Sequence, residues 1–246
     1  MALGDFAPQA HTYAARPGYP DELVDRLVAR AGVTKGDRVA DLGAGTGIFT
    51  MQLAARGLLV DAVDPSPAMR AQATPHPAVR WHAGTFEATG LETASVRWVT
   101  AAQAFHWADR PQALPELHRI LAPGGWLTCL WNDRRDQDCA LLAAVMDAIR
   151  REAPDFDERY RDHAWASAML EDGWFDDLSA DEQRHVVVMS RDRFRSLWRS
   201  HNHLAETAGP GRLTRLLAAI DELTADVDEV AVPYLTRAWT ARAARR

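Results

Sequence analysis

Residues 39–47, Val-Ala-Asp-Leu-Gly-Ala-Gly-Thr-Gly, limit the possible folds of this chain more than any other stretch. An apolar strand ends in Asp41, glycines follow at every second position, and residues 48–53 begin a helical pattern of apolar side chains. Glycine lets the backbone turn sharply between a strand and a helix and lets a ligand approach the main chain. The stretch therefore predicts a strand–loop–helix junction with a nucleotide-type cofactor.

The spacing of the glycines argues against a nicotinamide dinucleotide. That fingerprint is Gly-x-Gly-x-x-Gly, and it places an anionic pyrophosphate at a helix N-terminus. Gly43 and Gly45 fit it, but Ile48 occupies the third glycine position and Gly47 comes one residue early. Asp41 lies just before the loop, where its charge would repel a pyrophosphate and attract an ammonium group.

The composition is that of a globular protein. The 246 residues are 47% hydrophobic and 25% charged, which suits one α/β domain with a full core. The net charge of −6, without a basic stripe, argues against a nucleic-acid binder. The two cysteines are too few for a disulfide framework, and no segment reads as a membrane span or a signal peptide. We therefore expect a cytoplasmic monomer or homodimer that acts on a small molecule.

Apolar runs and turn signals predict strands that alternate with helices as far as residue 131. Such alternation implies parallel pairing with right-handed crossovers, and hence a doubly wound α/β fold with a mostly parallel, seven-stranded sheet. The predicted strands are residues 38–41, 58–63, 79–82, 96–101, 126–131, 185–190 and 227–233. The predicted helices are residues 20–31, 49–56, 67–73, 112–121, 140–151, 191–200 and 212–223.

We expect one domain over residues 1–246, made of four segments. These are an N-terminal lid and helix (1–31), a cofactor-binding core (32–132), a helical insertion (133–180) and C-terminal strands and helices (181–246). Aromatic side chains within residues 155–177 suggest that the insertion forms an apolar lid over the site. They are Phe156, Tyr160, Trp165, Trp174 and Phe175.

A second acid, Asp64, follows the second predicted strand, 21 residues after Gly43. In nucleotide-binding folds an acid at this place accepts hydrogen bonds from ribose hydroxyls. A turn-forming aspartate before Pro65 would explain the residue but not its distance from the glycines. Asp64 therefore indicates a nucleoside without naming it.

Residues 41–47 resemble the first motif of the class I S-adenosylmethionine-dependent methyltransferases. That cofactor carries an ammonium group and a sulfonium cation but no phosphate, which suits Asp41. Residues 64–69 resemble the family's Asp-x-Ser-x-x-Met stretch, and residues 84–86 its Gly-acid-aromatic stretch, with Thr85 in place of the acid. Residues 13–20 and 101–107 narrow the resemblance to small-molecule enzymes similar to trans-aconitate and ubiquinone/menaquinone-pathway methyltransferases.

The resemblance implies S-adenosylmethionine as cofactor, S-adenosylhomocysteine as product, and a set of binding residues at the ends of the strands. The implied cofactor-binding residues are Tyr19, Asp41, Gly43, Ala44, Gly45, Asp64, Pro65, Met69, Gly84, Thr85, Phe86 and Gln103. The candidates for substrate binding are Tyr13, Arg16, His106, Trp107, Arg199 and His201.

Methyl transfer is an in-line displacement at a sulfonium, so alignment and exclusion of water are the protein's main tasks. His106 is the candidate base because an imidazole that titrates near neutrality can accept a proton from a hydroxyl or an amine. A structural histidine is the alternative, and a carboxylate acceptor would need no base. No metal is expected, because residues 102–104, Ala-Gln-Ala, lack the acid that magnesium-dependent relatives carry after the fourth strand.

The sequence therefore predicts transfer of a methyl group from S-adenosylmethionine to an O, N or C acceptor on a small organic molecule. Two other classes stay open. One is a non-catalytic protein that keeps the fold and binds a small molecule or a partner. The other, which the glycine spacing disfavours, is an NAD(P)-dependent oxidoreductase.

Overall fold

A computed structural model describes residues 10–156 and 164–245 of the chain. Its strands are β1 (Arg38–Leu42), β2 (Leu59–Val63), β3 (Val79–His82), β4 (Val96–Ala102), β5 (Leu121–Arg134), β6 (Phe175–Ser190) and β7 (Glu229–Ala243). Its α-helices are α1 (Ala10–Tyr13), α2 (Asp21–Ala31), α3 (Ile48–Ala55), α4 (Pro67–Arg70), α5 (Arg110–Ile120), α6 (Ala140–Glu152), α7 (Trp165–Met169), α8 (Arg191–Arg199) and α9 (Asn202–Leu223). Within the described ranges, none of these helices is both long and apolar enough to span a bilayer.

The strands form one seven-stranded sheet in the order β3-β2-β1-β4-β5-β7-β6. The first five strands pair in parallel, and β7 pairs antiparallel with both β5 and β6. This arrangement confirms the doubly wound, mostly parallel, seven-stranded sheet. The strand order reverses between β1 and β4, and ligands of open α/β sheets bind at such a point, beside the carboxyl ends of the strands.

The four strands β1–β4 agree with the predicted strands to within a residue at each end, but β5 is longer than predicted. The apolar run ends at Trp131, whereas β5 continues through three polar residues to Arg134. These residues stay in the strand because β7 pairs with them, from Asn132 opposite Thr236 to Arg134 opposite Tyr234. The extension carries polar side chains past the edge of the sheet.

The C-terminal part differs most from the prediction. β6 begins ten residues before the predicted strand 185–190, and β7 runs ten residues beyond the predicted strand 227–233. The extra residues of β6 are largely polar, and pairing between β6 and β7 sets their register. The segment 133–180 therefore holds α6 and α7 but also the start of β6, so its described part is not wholly helical. The division into four segments stays a prediction.

The predicted helix 212–223 is the second half of α9. This helix begins at Asn202 and contains a break at Gly209, whose φ of +73° lies in the left-handed region. Pro210 follows the break and cannot continue the hydrogen-bond ladder of the first half. His201, the residue just before the first half, lines the cavity described below.

The aromatic residues predicted to form a lid lie mainly in the core. Trp165 and Phe175 are buried in the cluster under β4, β5 and α5, and Trp174 packs against that cluster. Phe156 packs against a second cluster formed by α6, α8 and α9. Tyr160 lies outside the described residues, so the apolar lid stays a prediction.

Candidate functional site

The loop between β1 and α3 lies against the residues that follow β4. Gly43 has a φ of +63°, in the left-handed region. A Cβ atom built there would lie 2.5 Å from the Cβ of Ala104 and 3.4 Å from Cζ of Phe86. Real Cβ atoms do not approach other carbon atoms so closely. The position therefore requires glycine for both its backbone conformation and its space.

Asp64 ties the glycine loop to the end of β2. Its Oδ2 accepts a hydrogen bond of 2.8 Å from the backbone N–H of Gly45, and its Oδ1 accepts one of 2.9 Å from the N–H of Ser66. Burial raises the pKa of this carboxyl, while the two backbone hydrogen bonds oppose that rise. A carboxylate offers about four lone-pair sites. Asp64 can therefore hold the loop and still accept hydrogen bonds from hydroxyl groups of a ligand.

Asp41 is a buried carboxyl at the end of β1. Its Oδ2 accepts a hydrogen bond of 2.6 Å from the hydroxyl of Thr50, and its Oδ1 accepts one of 2.8 Å from the hydroxyl of Thr100. Burial is the largest influence on its pKa, which rises from 3.8 to about 6 although both hydrogen bonds lower it. Near pH 7 the group is therefore mostly an anion in an apolar setting, where a cation would stabilise it.

This raised pKa gives a prediction on stability. The folded protein keeps a proton on Asp41 between pH 3.8 and about 6, where the unfolded chain has lost it. The contribution of Asp41 to folding thus becomes less favourable as the pH rises through this range, by at most about 3 kcal/mol. We expect Asp41→Asn to remove this dependence. The free energy of unfolding measured in urea, taken as variant minus wild type, should therefore be more positive at pH 7.5 than at pH 4.5. Other groups titrate in both proteins and cancel, and a difference that does not change with pH would contradict the prediction.

A cavity of about 730 Å³, counted to its open mouth, lies beside the glycine loop. Eight predicted site residues line it, namely Tyr13, Arg16, Tyr19, Asp41, Gly43, Ala44, Gln103 and His201. The other lining residues, which the sequence analysis did not assign, are Pro17, Ile48, Phe49, Ala102, Asn132, Arg134, Leu197 and Tyr234.

The N-terminal segment forms one wall of the cavity and is fixed to the core. The backbone N–H and C=O of Tyr19 both bond to the side chain of Gln52, at 2.9 and 2.7 Å. The amide of Asn132 donates to the carbonyl of Gly18 at 3.0 Å. The Tyr19 ring meets Phe49 edge to face at 5.1 Å, and burial raises the pKa of its hydroxyl well above the usual value. Tyr19 therefore presents a neutral aromatic ring to the cavity.

The same segment also contacts the C-terminal helices. The guanidinium of Arg16 donates to the hydroxyl and the carbonyl of Ser200, at 3.3 and 3.1 Å, and lies 4.5 Å over the ring of Tyr13. Arg193 of α8 donates to the carbonyl of Ala15 at 3.0 Å. These contacts hold residues 13–16 against α8 and the start of α9, above the cavity.

The extended part of β5 forms a second wall, which the hydrogen bond from Asn132 to Gly18 joins to the first. Asn132 and Arg134 are two residues apart, so their side chains share one face of the strand, and Tyr234 lies opposite Arg134 on β7. Thr236 donates to the side-chain oxygen of Asn132 at 2.5 Å. The apolar pattern of the sequence does not indicate this wall, because the apolar run ends at Trp131. Polar residues at alternate positions after a buried strand were the available signal.

The remaining predicted residues do not line the cavity. Met69 and Phe86 are buried near the end of β2 and the glycine loop, whereas Pro65 and Arg199 are exposed. Thr85 caps its own turn, since its hydroxyl accepts from the N–H groups of residues 87 and 88. The others outside the cavity lining are Gly45, Asp64, Gly84, His106 and Trp107. No group of three histidine, cysteine, aspartate or glutamate side chains among the described residues is placed to hold a metal ion.

His106 lies in a short 3₁₀ turn, Phe105–Trp107, after β4. Its ring centre is 5.0 Å from that of Trp107 and 6.4 Å from that of Trp165. Burial is the main cause, and the charge of Arg16 a smaller one, of a pKa lowered from 6.5 to about 4. The imidazole is therefore neutral at pH 7 and a weaker base than an exposed histidine. A histidine titrates near neutrality unless burial shifts its pKa, and here burial among aromatic rings disfavours the charged ring.

Comparisons with known proteins agree with this geometry. Residues 40–129 match the family described as a methyltransferase domain. An uncharacterized methyltransferase of Mycobacterium tuberculosis is 45% identical over 126 residues, which are 50% of this chain and 49% of that protein. The ubiquinone/menaquinone biosynthesis C-methyltransferase of Rubrivivax gelatinosus is 40% identical over 108 residues, 43% of either chain. The chain thus spans about half the length of the curated relatives that it matches.

A solved structure covers more of the chain. A protein of Anaeromyxobacter dehalogenans, described as a type II methyltransferase, superposes with a TM-score of 0.69 at 26% identity, over 92% of this chain and 97% of that one. The residues that match the family model contain the glycine loop, Asp64 and the end of β4. Residues 40–129 thus match a methyltransferase domain, and the fold over 92% of the chain is similar to that of the Anaeromyxobacter protein.

Proposed function

We propose that the chain binds S-adenosylmethionine at the glycine loop and transfers the methyl group to a small organic molecule. The pair of buried carboxyls on either side of the loop, Asp41 and Asp64, carries this proposal. Asp41 beside the glycine loop disfavours a pyrophosphate and favours a cofactor with a positive charge and no phosphate. Asp64 at the end of β2 suits the two hydroxyls of a ribose.

The remaining cofactor contacts follow from the same orientation. Asp41 attracts the ammonium group of the methionine part, beside the backbone of residues 43–45 and the side chain of Gln103. Met69 and Phe86 supply apolar surface for the adenine, near Pro65. Because the Thr85 hydroxyl is used within its own turn, the adenine amine is recognised through the backbone of residues 84–86 instead.

The cofactor supplies a methyl group on a sulfonium, a leaving group that needs no further activation. The protein holds the acceptor in line with that methyl group, and such alignment contributes roughly 7–11 kcal/mol in favourable intramolecular models. The walls formed by residues 13–19 and by Asn132 and Arg134 keep water away. The neutral ring of Tyr19 stabilises the positive charge by about 0.5–2 kcal/mol through cation–π attraction.

His106 is not required as a base in this mechanism. A base is most effective when its pKa lies near the working pH, and that of His106 is about 4. General-base catalysis contributes about 10²–10⁴-fold, so we expect His106→Gln to lower kcat by less than about tenfold. The rate should also show no inflection from this residue between about pH 6 and 9. A loss of more than about a hundredfold, with KM unchanged, would establish His106 as the base.

The test of the proposed function is transfer of a labelled methyl group from S-adenosylmethionine to a panel of phenols, amines, enolisable carbonyl compounds and carboxylic acids. Transfer to one of these classes would support the proposal and would fix the acceptor atom as O, N or C. Binding of the cofactor without transfer to any of them would favour the non-catalytic alternative. The single domain, the helical lid, the cytoplasmic location, the monomeric or homodimeric state and the absence of nucleic-acid partners stay predictions.

A further inference from the structure

Asp41 and Arg134, whose charges are opposite, line the same cavity from places far apart in the sheet. The charged side chains that line it are Asp41, Arg16 and Arg134, with His201 as a fourth polar group. In the sheet, Asp41 pairs with Thr100, which pairs with Thr128, and Arg134 lies six residues further along β5. At about 3.3 Å per residue, the backbone of Arg134 is about 20 Å beyond that of Asp41 and two strands to the side.

Arg134 is held by its surroundings rather than extended into solvent. Only 9% of it is exposed, and its guanidinium carbon lies 4.3 Å over the ring of the fully buried Trp198. Its Nε lies 3.8 Å from Oδ1 of Asp136. Stacking uses the faces of the guanidinium, whereas its N–H groups point outward in the plane and match a carboxylate in a two-pronged arrangement. The residue is thus pre-organised as an anion-binding group in the cavity wall.

The proposed cofactor contains a carboxylate of its own, but its position argues against Arg134 as the partner. The ammonium and the carboxylate of the methionine part are attached to the same carbon atom. If Asp41 attracts the ammonium, the carboxylate lies at the Asp41 end of the cavity. An arginine side chain covers only part of the separation of about 20 Å. The anion that Arg134 would bind therefore belongs to the second ligand.

We propose that the methyl acceptor carries a carboxylate, which Arg134 binds, and an apolar body that lies between Leu197, Tyr234 and Tyr19. This inference rests on the proposed function and assigns the acceptor's chemical class. Arg16 adds a second positive charge to the cavity wall, so an anion entering it is attracted before it reaches Arg134. Arg134 is then a specificity-determining residue for the acceptor.

The test is calorimetric titration of the protein saturated with S-adenosylhomocysteine. The probes are three matched pairs of acid and amide: benzoate and benzamide, phenylacetate and phenylacetamide, hexanoate and hexanamide. We expect at least one acid to bind and its amide to bind at least about tenfold more weakly. The Arg134→Met substitution should weaken binding of the acid by at least about tenfold. Arg134→Lys keeps the positive charge but loses the two-pronged hydrogen bonding of the guanidinium, so its affinity for the acid should lie between those of the wild type and Arg134→Met. The control is Arg150→Met, whose side chain is 70% exposed on α6 and which should bind the acid like the wild type.

Separate outcomes distinguish this inference from the proposed function. Unchanged S-adenosylhomocysteine affinity shows that Arg134→Met is folded, and it is the expected result. Equal binding of acid and amide, binding of no acid, or an unaltered acid affinity in Arg134→Met would overturn the inference alone. If this variant bound S-adenosylhomocysteine about tenfold or more weakly than the wild type, the inference would also be overturned, because Arg134 would then hold the cofactor. Failure of the wild type to bind S-adenosylhomocysteine would instead reject the proposed function.

Discussion

Replacing Gly43 by alanine is expected to weaken binding of S-adenosylhomocysteine by at least about a hundredfold. The new Cβ atom would lie 2.5 Å from the Cβ of Ala104, so the glycine loop or the residues after β4 must move. Both segments border the cavity, and the φ of +63° adds roughly 1–2 kcal/mol of backbone strain. Calorimetric titration with S-adenosylhomocysteine measures the loss directly.

Gly32 provides a matched control for this substitution. It follows α2 with a φ of +61°, nearly the same as that of Gly43, but a Cβ atom there would have no neighbour within 4 Å. We expect Gly32→Ala to lower the free energy of unfolding by about 1 kcal/mol and to leave the affinity unchanged within about threefold. If Gly43→Ala binds as tightly as Gly32→Ala, close packing of the loop is not needed for the cofactor.

Replacing Asp64 by alanine should have the second largest effect, a loss of affinity for S-adenosylhomocysteine of at least about thirtyfold. The substitution removes the acceptor of the Gly45 and Ser66 N–H groups and, in the proposed complex, the acceptor of the ribose hydroxyls. A hydrogen bond to a charged group is worth about 1.5–3 kcal/mol, and a thirtyfold loss is about 2 kcal/mol, so the loss of one such bond to the ligand would suffice. The affinity is again measured by calorimetry.

The control for Asp64 is Asp37→Ala. Asp37 also accepts a backbone N–H, that of Thr34 at 2.7 Å, but it lies before β1, at the edge of the sheet opposite the proposed site. Its hydrogen bonds with Thr34 lower its pKa, so its loss tests the general cost of removing a loop carboxylate. The affinity of Asp37→Ala should match that of the wild type. Equal losses in the two variants would mean that Asp64 acts on the fold and not on the ligand.

The N-terminal half of the fold follows from local signals in the sequence. The acid before the glycine loop, the loop itself and Asp64 stand at the ends of apolar strands, and parallel strands bring such ends to one edge of the sheet. The doubly wound sheet and the family resemblance were therefore predictable. That Asp64 would bond to the N–H of Gly45 was not, because it depends on the exact approach of two loops.

The C-terminal half was harder to predict because its strands are held by partners far away in the chain. Residues 176–184 of β6 are largely polar and form an edge strand, and only their pairing with β7 makes them extended. Pairing of β7 with β5 likewise lengthens β5 and brings Asn132 and Arg134 into the cavity wall. Sequence periodicity cannot indicate such contacts, since the residues that stabilise the strand are about a hundred positions away.

The electrostatics of the site also depends on three-dimensional packing. His106 looked suited to proton transfer because free histidine titrates near neutrality, but its burial among aromatic rings lowers the pKa to about 4. Burial has the opposite effect on Asp41, whose pKa rises to about 6. The sequence identifies which groups can ionise, whereas the burial of each group in the fold determines its pKa.

The most direct test of the account is calorimetric titration of the wild-type chain with S-adenosylhomocysteine and, separately, with NADH. The account predicts micromolar binding of S-adenosylhomocysteine and no heat from NADH at concentrations up to about 1 mM. Binding of NADH in place of S-adenosylhomocysteine, or binding of neither, would contradict the assignment of the cofactor to the loop between Asp41 and Asp64.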